Sequence, residues 1–183
     1  MQPQDIAESY YTLGMSYTEL EEFEKALNSL KRGLTLIGTL EKSETLGRFY
    51  NAIGNAYKTQ HKYQLAIENY VLSKDIYESV FGKDAENYCQ PLINIGDANK
   101  SMGDWKTALL NYQDVLTIYQ KTPPKDLGSV VYLFLEIAKT MNGLGLTEKS
   151  NEVVGLALTF AGNAIGKNSV EEAEIYKHMA VVA

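Results

Sequence analysis

A small residue returns along this chain at a nearly constant interval. The pattern Tyr-x-x-Leu-Gly-x-x-Tyr at residues 10–17 recurs as Tyr-x-x-Ile-Gly-x-x-Tyr at residues 50–57, and less complete copies follow. The residues that mark the register are Gly14, Gly54, Gly96, Ala138 and Ala180, which are separated by 40, 42, 42 and 42 residues. A fixed period of this size is typical of a repeat architecture, in which each copy is one supersecondary unit.

In each of the four complete copies, a second small residue lies twelve positions after the first mark. A larger residue lies four positions after that second small residue. The second marks are Ala26, Ala66, Ala108 and Ser150, and the larger residues are Leu30, Tyr70, Tyr112 and Val154. Small residues at both marks leave no bulk between two helices. We therefore expect the helices of one copy to approach closely, while the larger group fills the space beside them.

Each copy consists of two amphipathic stretches of helical period, divided by a short polar break. The breaks within copies are residues 18–22, 59–62, 101–104 and 143–147, and those between copies include residues 81–84 and 122–125. Gly82 and Gly166 lie at the same place in the period and suit a left-handed helix C-cap, while Pro123 and Pro124 stop the preceding helix. No stretch between the breaks alternates as a strand would, so the sequence predicts an all-α fold.

The offsets of the aromatic, Leu-Gly, Tyr and Ala-x-x-x-aromatic positions resemble those of the tetratricopeptide repeat family over nearly the whole chain. The resemblance implies a right-handed superhelical solenoid of antiparallel helix pairs with a concave inner wall. We expect a single domain over residues 1–183. It would hold repeats at about 5–40, 44–82, 85–122 and 126–166, and a terminal helix as a half repeat at 170–183.

The period of 42 residues is longer than the ~34 of the common form. Residues 76–84 and 118–122 are similar to the helix ends and linkers of kinesin-light-chain-type repeats. Residues 48–57 are also similar to repeats of the G-protein-signalling-modulator scaffolds. These two families imply capture of cargo or of a peptide in the concave groove, with asparagine and basic side chains contacting the ligand.

Composition excludes several other classes of protein. The net charge of −6 would repel a phosphate backbone, so no nucleic-acid partner is expected. The single cysteine, Cys89, cannot close an internal disulfide, and no apolar run approaches the ~18 residues of a membrane span. We therefore expect a cytoplasmic protein without membrane contact, with association to the cytoskeleton or a cilium as a narrower alternative.

The residues that could support catalysis are scattered along the chain. His61 and His178 are almost three repeats apart, too far to share a metal ion or a proton relay. Cys89 has no histidine near it in the period, and Trp105 begins the second helix of its copy, where the two preceding copies also have an aromatic residue. We interpret both as core residues. The sequence predicts that the protein is not an enzyme and has no metal site and no cofactor.

In the tetratricopeptide geometry, four offsets from the first mark place side chains on the inner wall. The candidates for a peptide-binding groove, including one asparagine from an adjacent offset, are Tyr11, Met15, Arg48, Asn51, Asn55, Lys58, Ile93, Asn94, Asp97, Lys100, Tyr132, Leu135, Lys139 and Asn142. The asparagines can hold a peptide backbone by hydrogen bonds. Apolar pockets would come from Tyr11, Ile93, Tyr132 and Leu135.

The charge of this wall predicts the character of the partner. The four offsets in four repeats carry four cations, Arg48, Lys58, Lys100 and Lys139, and two anions, Glu8 and Asp97. A wall that is relatively basic on an acidic protein favours a protein or peptide partner of acidic character. We also expect the side chains of Arg48 and Lys58 to be solvated.

Two other functions fit the same architecture, because one fold serves many unrelated roles. The first is a structural subunit that packs into a cytoskeletal or ciliary assembly through its convex faces and ends. The second is a regulatory module of a longer signalling protein. Docking of a chaperone's C-terminal carboxylate is disfavoured, since Tyr132 and Glu136 stand where such a clamp needs cations.

The last copy predicts that the chain is a piece of a longer protein. It supplies only one helix, from about Val170, and stops at Ala183 with an apolar sequence where a terminal repeat should have a polar outer face. We expect either a further helix beyond this segment or self-association through it.

Overall fold

The computed structural model describes residues 3–38, 43–122, 124 and 127–164, and these residues form eight α-helices. The helices are α1 (Pro3–Glu19), α2 (Phe23–Ile37), α3 (Glu44–Thr59), α4 (Tyr63–Phe81), α5 (Glu86–Ser101), α6 (Trp105–Lys121), α7 (Leu127–Gly143) and α8 (Thr147–Ala164). Over those ranges there is no strand, so the prediction of an all-α fold is confirmed. The helix expected at 170–183, with His178 and the cap Gly166, lies outside the described residues.

The same turn joins the two helices of every pair. Its central residue has a positive φ in each copy: 58° at Glu21, 60° at His61, 83° at Gly103 and 77° at Gly145. The next amide N–H donates to the carbonyl five residues back, as Lys62 N–H does to Tyr57 C=O at 2.9 Å. This pattern is the Schellman motif, which ends a helix through backbone hydrogen bonds alone. The short connection then returns the chain antiparallel to itself.

The glycines at the register marks are the places where paired helices touch. A Cβ built on Gly14 would lie 2.5 Å from Cγ of Leu30, and one on Gly96 would lie 2.6 Å from Cε1 of Tyr112. In the fourth pair, where the marks are Ala138 and Ser150, the Ser150 hydroxyl donates to the Ala138 carbonyl at 2.8 Å. The sequence prediction of a close approach at these marks is therefore confirmed.

Glycines also accommodate aromatic rings away from the register marks. A Cβ on Gly33 of α2 would lie 2.4 Å from Cε1 of Phe49 in α3, and one on Gly143 of α7 would lie 2.6 Å from the Trp105 ring of α6. Phe49 is fully buried, in one core cluster with Ala7 and Leu30. Each helix pair thus covers an apolar face of its neighbour, and the pairs stack in chain order.

The C-cap predicted at Gly82 has a different conformation from the one expected. Its φ of 86° is positive, but its ψ of 167° lies outside the left-handed helical region. Only glycine adopts this combination readily, so the positive φ explains the glycine, but the left-handed helical conformation predicted for it is wrong. Gly38 ends α2 in the same way, with φ 72° and ψ 162°.

Candidate functional site

Side chains of α1, α3, α5 and α7 contact one another across neighbouring pairs and so define one face of the stack, called the inner face below. Arg48 of α3 donates to both carboxylate oxygens of Glu8 in α1, at 2.8 and 3.3 Å. The Asn94 side-chain amide of α5 donates to Asn51 Oδ1 of α3 at 2.7 Å. The structure therefore brings together residues that are about 40 positions apart in the sequence.

The cations of the inner face are paired with carboxylates, which the sequence did not predict, although the Arg48 and Lys58 side chains keep 37% and 31% of their surface in solvent as expected. The Arg48 guanidinium also lies 4.4 Å from the ring centroid of Tyr11, so it is held by an ion pair and a cation–π contact. Lys58 Nζ lies 3.6 Å from Asp97 Oδ2. Arg48 and Lys58 are consequently parts of the structure that links repeats, and reversing their charge would affect folding as well as binding.

Five charged residues form an alternating series that we call the charge ladder: Lys58, Asp97, Lys100, Glu136 and Lys139. Lys100 pairs with both Asp97 and Glu136, and Lys139 Nζ lies 2.7 Å from Glu136 Oε1. Glu136 was not among the predicted groove residues, and counting it brings the inner face to three carboxylates against four cations. The basic excess is therefore smaller than the sequence count indicated.

The carboxylate side chains of the ladder are more buried than the lysine side chains at its two ends. The Glu136 and Asp97 side chains are 5% and 17% exposed, while those of Lys58 and Lys139 are 31% and 37% exposed. Burial by itself would raise the pKa of Glu136, but the adjacent Lys100 and Lys139 outweigh it and hold that pKa below its usual value. The lysine side chains at the two ends of the ladder are therefore more accessible than its carboxylates.

Asp97 is the point where most contacts converge. It accepts from the Tyr112 hydroxyl at 2.6 Å and from the Tyr132 hydroxyl at 3.4 Å, in addition to its lysine partners. Two open clefts of about 430 and 310 Å³ lie beside this cluster, and both are lined by Lys58, Asp97 and Tyr132. The first cleft extends to Gln90 and Asn94, the second to His61 and Glu136.

Three of the four predicted asparagines, Asn51, Asn55 and Asn94, lie in one row. Gln90 Nε2 donates to Asn94 Oδ1 at 3.3 Å, and the Asn94 amide in turn donates to Asn51. Asn55 Oδ1 accepts from the Tyr70 hydroxyl at 2.8 Å. Among the described residues nothing accepts a hydrogen bond from Nδ2 of Asn51 or Asn55. The row therefore retains unused donors on the inner face.

Several predicted residues are placed away from this row. Leu135 is buried in a core cluster with Val154 and Ala157, so its side chain forms no pocket on the inner face. Ile93 is 6% exposed, so it contributes little surface to the cleft of about 430 Å³ that it lines. Met15 packs against the core between the first two pairs, and Asn142 is exposed and accepts from the Thr147 hydroxyl at 3.3 Å.

Sequence reasoning did not assign a role to the hydroxyls beneath the inner face. Tyr70 and Tyr112 were predicted as packing residues, and both rings are fully buried as expected. Their hydroxyls nevertheless reach Asn55 and Asp97. The sequence does contain an indication of this hydrogen bond. Sixteen residues after the first mark, a tyrosine occurs only in the two repeats that have Asn or Asp directly after that mark.

The described residues that were considered for catalysis, Cys89 and His61, are placed as parts of the fold. Cys89 is 1% exposed, and burial, followed by the charge of Glu86, raises the pKa of its thiol to about 12. His61 lies in the second turn, with its Nδ1 2.8 Å from the Tyr63 hydroxyl. In the described ranges, no three His, Cys, Asp or Glu side chains are grouped so as to hold a metal ion, and no helix is long and apolar enough to cross a membrane.

The fold is similar to several solved structures. The TPR-like repeats of a proposed kinesin light chain from Podosopora anserina align with a TM-score of 0.82 and 15% identity, over 98% of this chain and 86% of theirs. BtubC (BKLC) from P. vanneervenii has a TM-score of 0.82 and 18% identity, over 91% of this chain and 67% of its own. Aspartyl phosphate phosphatase F from Bacillus subtilis has a TM-score of 0.85 and 13% identity, over 100% of this chain and 46% of its own. These likenesses confirm the predicted superhelical solenoid.

Sequence comparisons give the family. No curated protein sequence matches the chain significantly. Two family models described as tetratricopeptide repeat match residues 7–39 and 45–121, which together make up more than half of the chain. Both ranges contain the glycine marks from which the period was first recognised. The chain therefore belongs to the tetratricopeptide repeat superfamily.

Proposed function

We propose that the protein is a non-catalytic adaptor that binds a peptide segment of a partner protein along the inner face. The observation that supports this most directly is the row of side chains crossing α3 and α5, in which Asn51 and Asn55 have donors that no described residue uses. Such donors suit the carbonyl groups of an extended chain. The tetratricopeptide solenoid supplies the extended concave surface that a segment of this kind needs.

The charge ladder supports a partner with acidic groups through the exposure of its lysines and not through its net charge. The inner face has nearly as many carboxylates as cations, so net charge alone favours little. What favours an acidic segment is the arrangement, because Lys58 and Lys139 are more exposed than Asp97 and Glu136. An acidic side chain would meet an ammonium group before a carboxylate.

A comparison of two asparagine pairs tests the proposal. The full chain is used to capture partners from a lysate, and the affinity for one captured partner is then measured by calorimetry. We expect Asn51→Ala with Asn55→Ala to weaken binding about tenfold or more, since about 1 kcal/mol is lost with each hydrogen bond. The control is Asn69→Ala with Asn111→Ala, because both of these amides bond to carbonyls of their own helices.

The outcomes separate the proposal from its alternative. Weaker binding by the inner-face pair, with unchanged binding by the control pair, supports capture along the inner face. Equal binding by both pairs contradicts it and favours the structural subunit, which would contact its assembly through the outer helices. Melting temperatures are measured for both pairs, so that a loss of folding is recognised.

A further inference from the structure

Two tyrosines beneath the inner face occupy the same place in consecutive repeats. Tyr70 and Tyr112 each lie sixteen residues after the glycine mark that their rings cover. Each hydroxyl reaches the residue directly after that glycine, at 2.8 Å for Asn55 Oδ1 and 2.6 Å for Asp97 Oδ1. The hydroxyls of two buried tyrosines thus make equivalent hydrogen bonds to equivalent residues of the inner face.

The direction of these hydrogen bonds follows from their acceptors. A carboxylate has no proton to donate, so Tyr112 is the donor to Asp97, and Tyr70 makes the corresponding bond to the Asn55 carbonyl oxygen. Burial, followed by the charge of Asp97, raises the pKa of both tyrosines. Both hydroxyls therefore keep their protons at physiological pH and remain donors.

Because each tyrosine hydroxyl is a donor, it determines which hydrogen-bonding groups of Asn55 and Asp97 remain available to a ligand. Because Tyr70 occupies Oδ1 of Asn55, the NH2 group of that planar amide is directed away from Tyr70. We propose that Tyr70 and Tyr112 are positioning residues that give the inner face opposite polarity at equivalent points, with Asn55 presenting donors and Asp97 presenting only acceptors. The proposal rests on the proposed function, because polarity matters only to a ligand bound on this face.

The two points then select different groups of the ligand. Lys58 lies one turn after Asn55, so this part of the inner face combines an amide NH2 with a lysine whose side chain is 31% exposed. A ligand must place an acceptor here, either a main-chain carbonyl or a carboxylate. At Asp97, whose oxygens already accept from Tyr112, Tyr132 and the lysines, another acceptor would be repelled. The acceptor-rich part of a partner is therefore expected over repeat two rather than repeat three.

The positioning role can be tested without a ligand. Side-chain amide signals of the full chain are recorded in 1H–15N spectra, and Asn55→Ala assigns the pair that belongs to Asn55. In Tyr70→Phe the ring still covers Gly54, but the donor is gone, so we expect the Asn55 amide signals and their contacts to neighbouring protons to change. Tyr112→Phe removes the same group one repeat away and should leave these signals in place. Unchanged Asn55 signals in Tyr70→Phe would overturn the proposal.

The polarity itself is tested by titration with one probe, an acetylated and amidated octapeptide of alternating Asp and Gly. Asn55→Asp reproduces the residue that the chain already has at Asp97, so Tyr70 keeps an acceptor and the fold is retained, but the NH2 donor is lost. We expect the dissociation constant to rise at least tenfold for Asn55→Asp and about fivefold for Tyr70→Phe. Asn69→Asp adds the same charge on α4 and serves as the control, since its amide bonds only within its helix.

Each result has a separate meaning. Equal affinity of Asn55→Asp and the unmodified chain would overturn the assignment of donor polarity. Failure of the octapeptide to bind the unmodified chain would contradict the proposed acidic ligand, while the amide spectra would still decide whether Tyr70 positions Asn55. Circular dichroism melts of every variant distinguish these results from unfolding.

Discussion

Gly54 and Tyr70 meet across the α3–α4 pair so closely that any side chain in place of the glycine would require the ring or the helices to shift. A Cβ built on Gly54 would lie 2.4 Å from Cε1 and 2.6 Å from Cδ1 of the Tyr70 ring. The ring is fully buried and its hydroxyl is hydrogen-bonded to Asn55, so it cannot move aside without losing that bond. The contact joins the packing of the second repeat to the chemistry of its inner face.

The first prediction concerns this contact. Gly54→Ala should lower the free energy of unfolding by ~1 to 3 kcal/mol, because the added methyl group overpacks the helix interface, and Gly54→Leu should cost more. Gly155→Ala on α8 is the control, since no atom of the described residues lies within 4 Å of a Cβ built there and alanine favours the helix. Urea denaturation measures both. Equal stability of Gly54→Ala and the unmodified chain would show that the two helices do not touch at this mark.

The second prediction concerns the turns. Glu21 is a non-glycine residue with φ 58°, at the position where the third and fourth turns have glycine. Glu21→Gly should raise the free energy of unfolding by ~0.5 to 1 kcal/mol through relief of backbone strain, after allowing for the entropy of glycine in the unfolded chain. The reciprocal change, Gly103→Ala, should be destabilising at the same turn position. Thermal unfolding of the two variants should therefore shift in opposite directions, and a shift in the same direction would contradict this account.

The third prediction concerns a buried hydroxyl without a partner. Among the described side chains, Ser73 Oγ is buried and makes no hydrogen bond, whereas Ser150 Oγ donates to the Ala138 carbonyl at 2.8 Å. Val115 stands one period after Ser73, so an apolar group suits this place. Ser73→Ala should be neutral or stabilising by up to ~1 kcal/mol, while Ser150→Ala should cost ~1 to 2 kcal/mol. Denaturant midpoints of the matched pair give the measurement, and a loss at Ser73 equal to that at Ser150 would refute it.

The fourth prediction concerns pH. The pKa of Glu136 lies below its ordinary 4.5 in the folded protein, since Lys100 and Lys139 outweigh the effect of burial. The resulting stabilisation is fully present above about pH 4.5, the unfolded value, and is lost as the pH falls through the lowered folded value. Glu136→Gln should lower stability at neutral pH and flatten the dependence on pH in the acid range. Unfolding curves between pH 7 and pH 3 test this, with Glu24→Gln on the exposed side of α2 as a variant that should keep the full dependence. An unaltered acid slope in Glu136→Gln would rule out this role.

The helix pairs could be predicted from the sequence because their packing repeats with the chain's own period. Gly54 and Tyr70 are separated by the same sixteen residues as Gly96 and Tyr112, and a constant offset reveals a constant contact. The ion pair between Arg48 and Glu8 could not be predicted in this way. It joins different repeats and depends on side-chain rotamers, and these do not follow from the offset of a residue within its own repeat.

The composition of the inner face was predicted less well for a related reason. The helical offsets used to choose groove residues describe an average helix, and Glu136 lies one position outside them although it completes the charge ladder. Leu135 lies on a chosen offset but is covered by α8. Small rotations of one helix against the next decide such cases, and they depend on the packing of the whole stack.

The turns within the pairs have a consequence for how such a chain can diverge. Backbone hydrogen bonds close all four of them, and the connecting sequences at residues 20–22, 60–62, 102–104 and 144–146 are all different. A turn closed by backbone hydrogen bonds tolerates most substitutions away from its one residue of positive φ, although Asp104 of the third turn also caps α6 by accepting from the Thr107 N–H at 3.1 Å. These edges of the solenoid are therefore the natural places for new surface chemistry to arise, or for a fluorescent label or an affinity tag to be attached, while the stacking of the helices and the row of amides on the inner face remain unaltered.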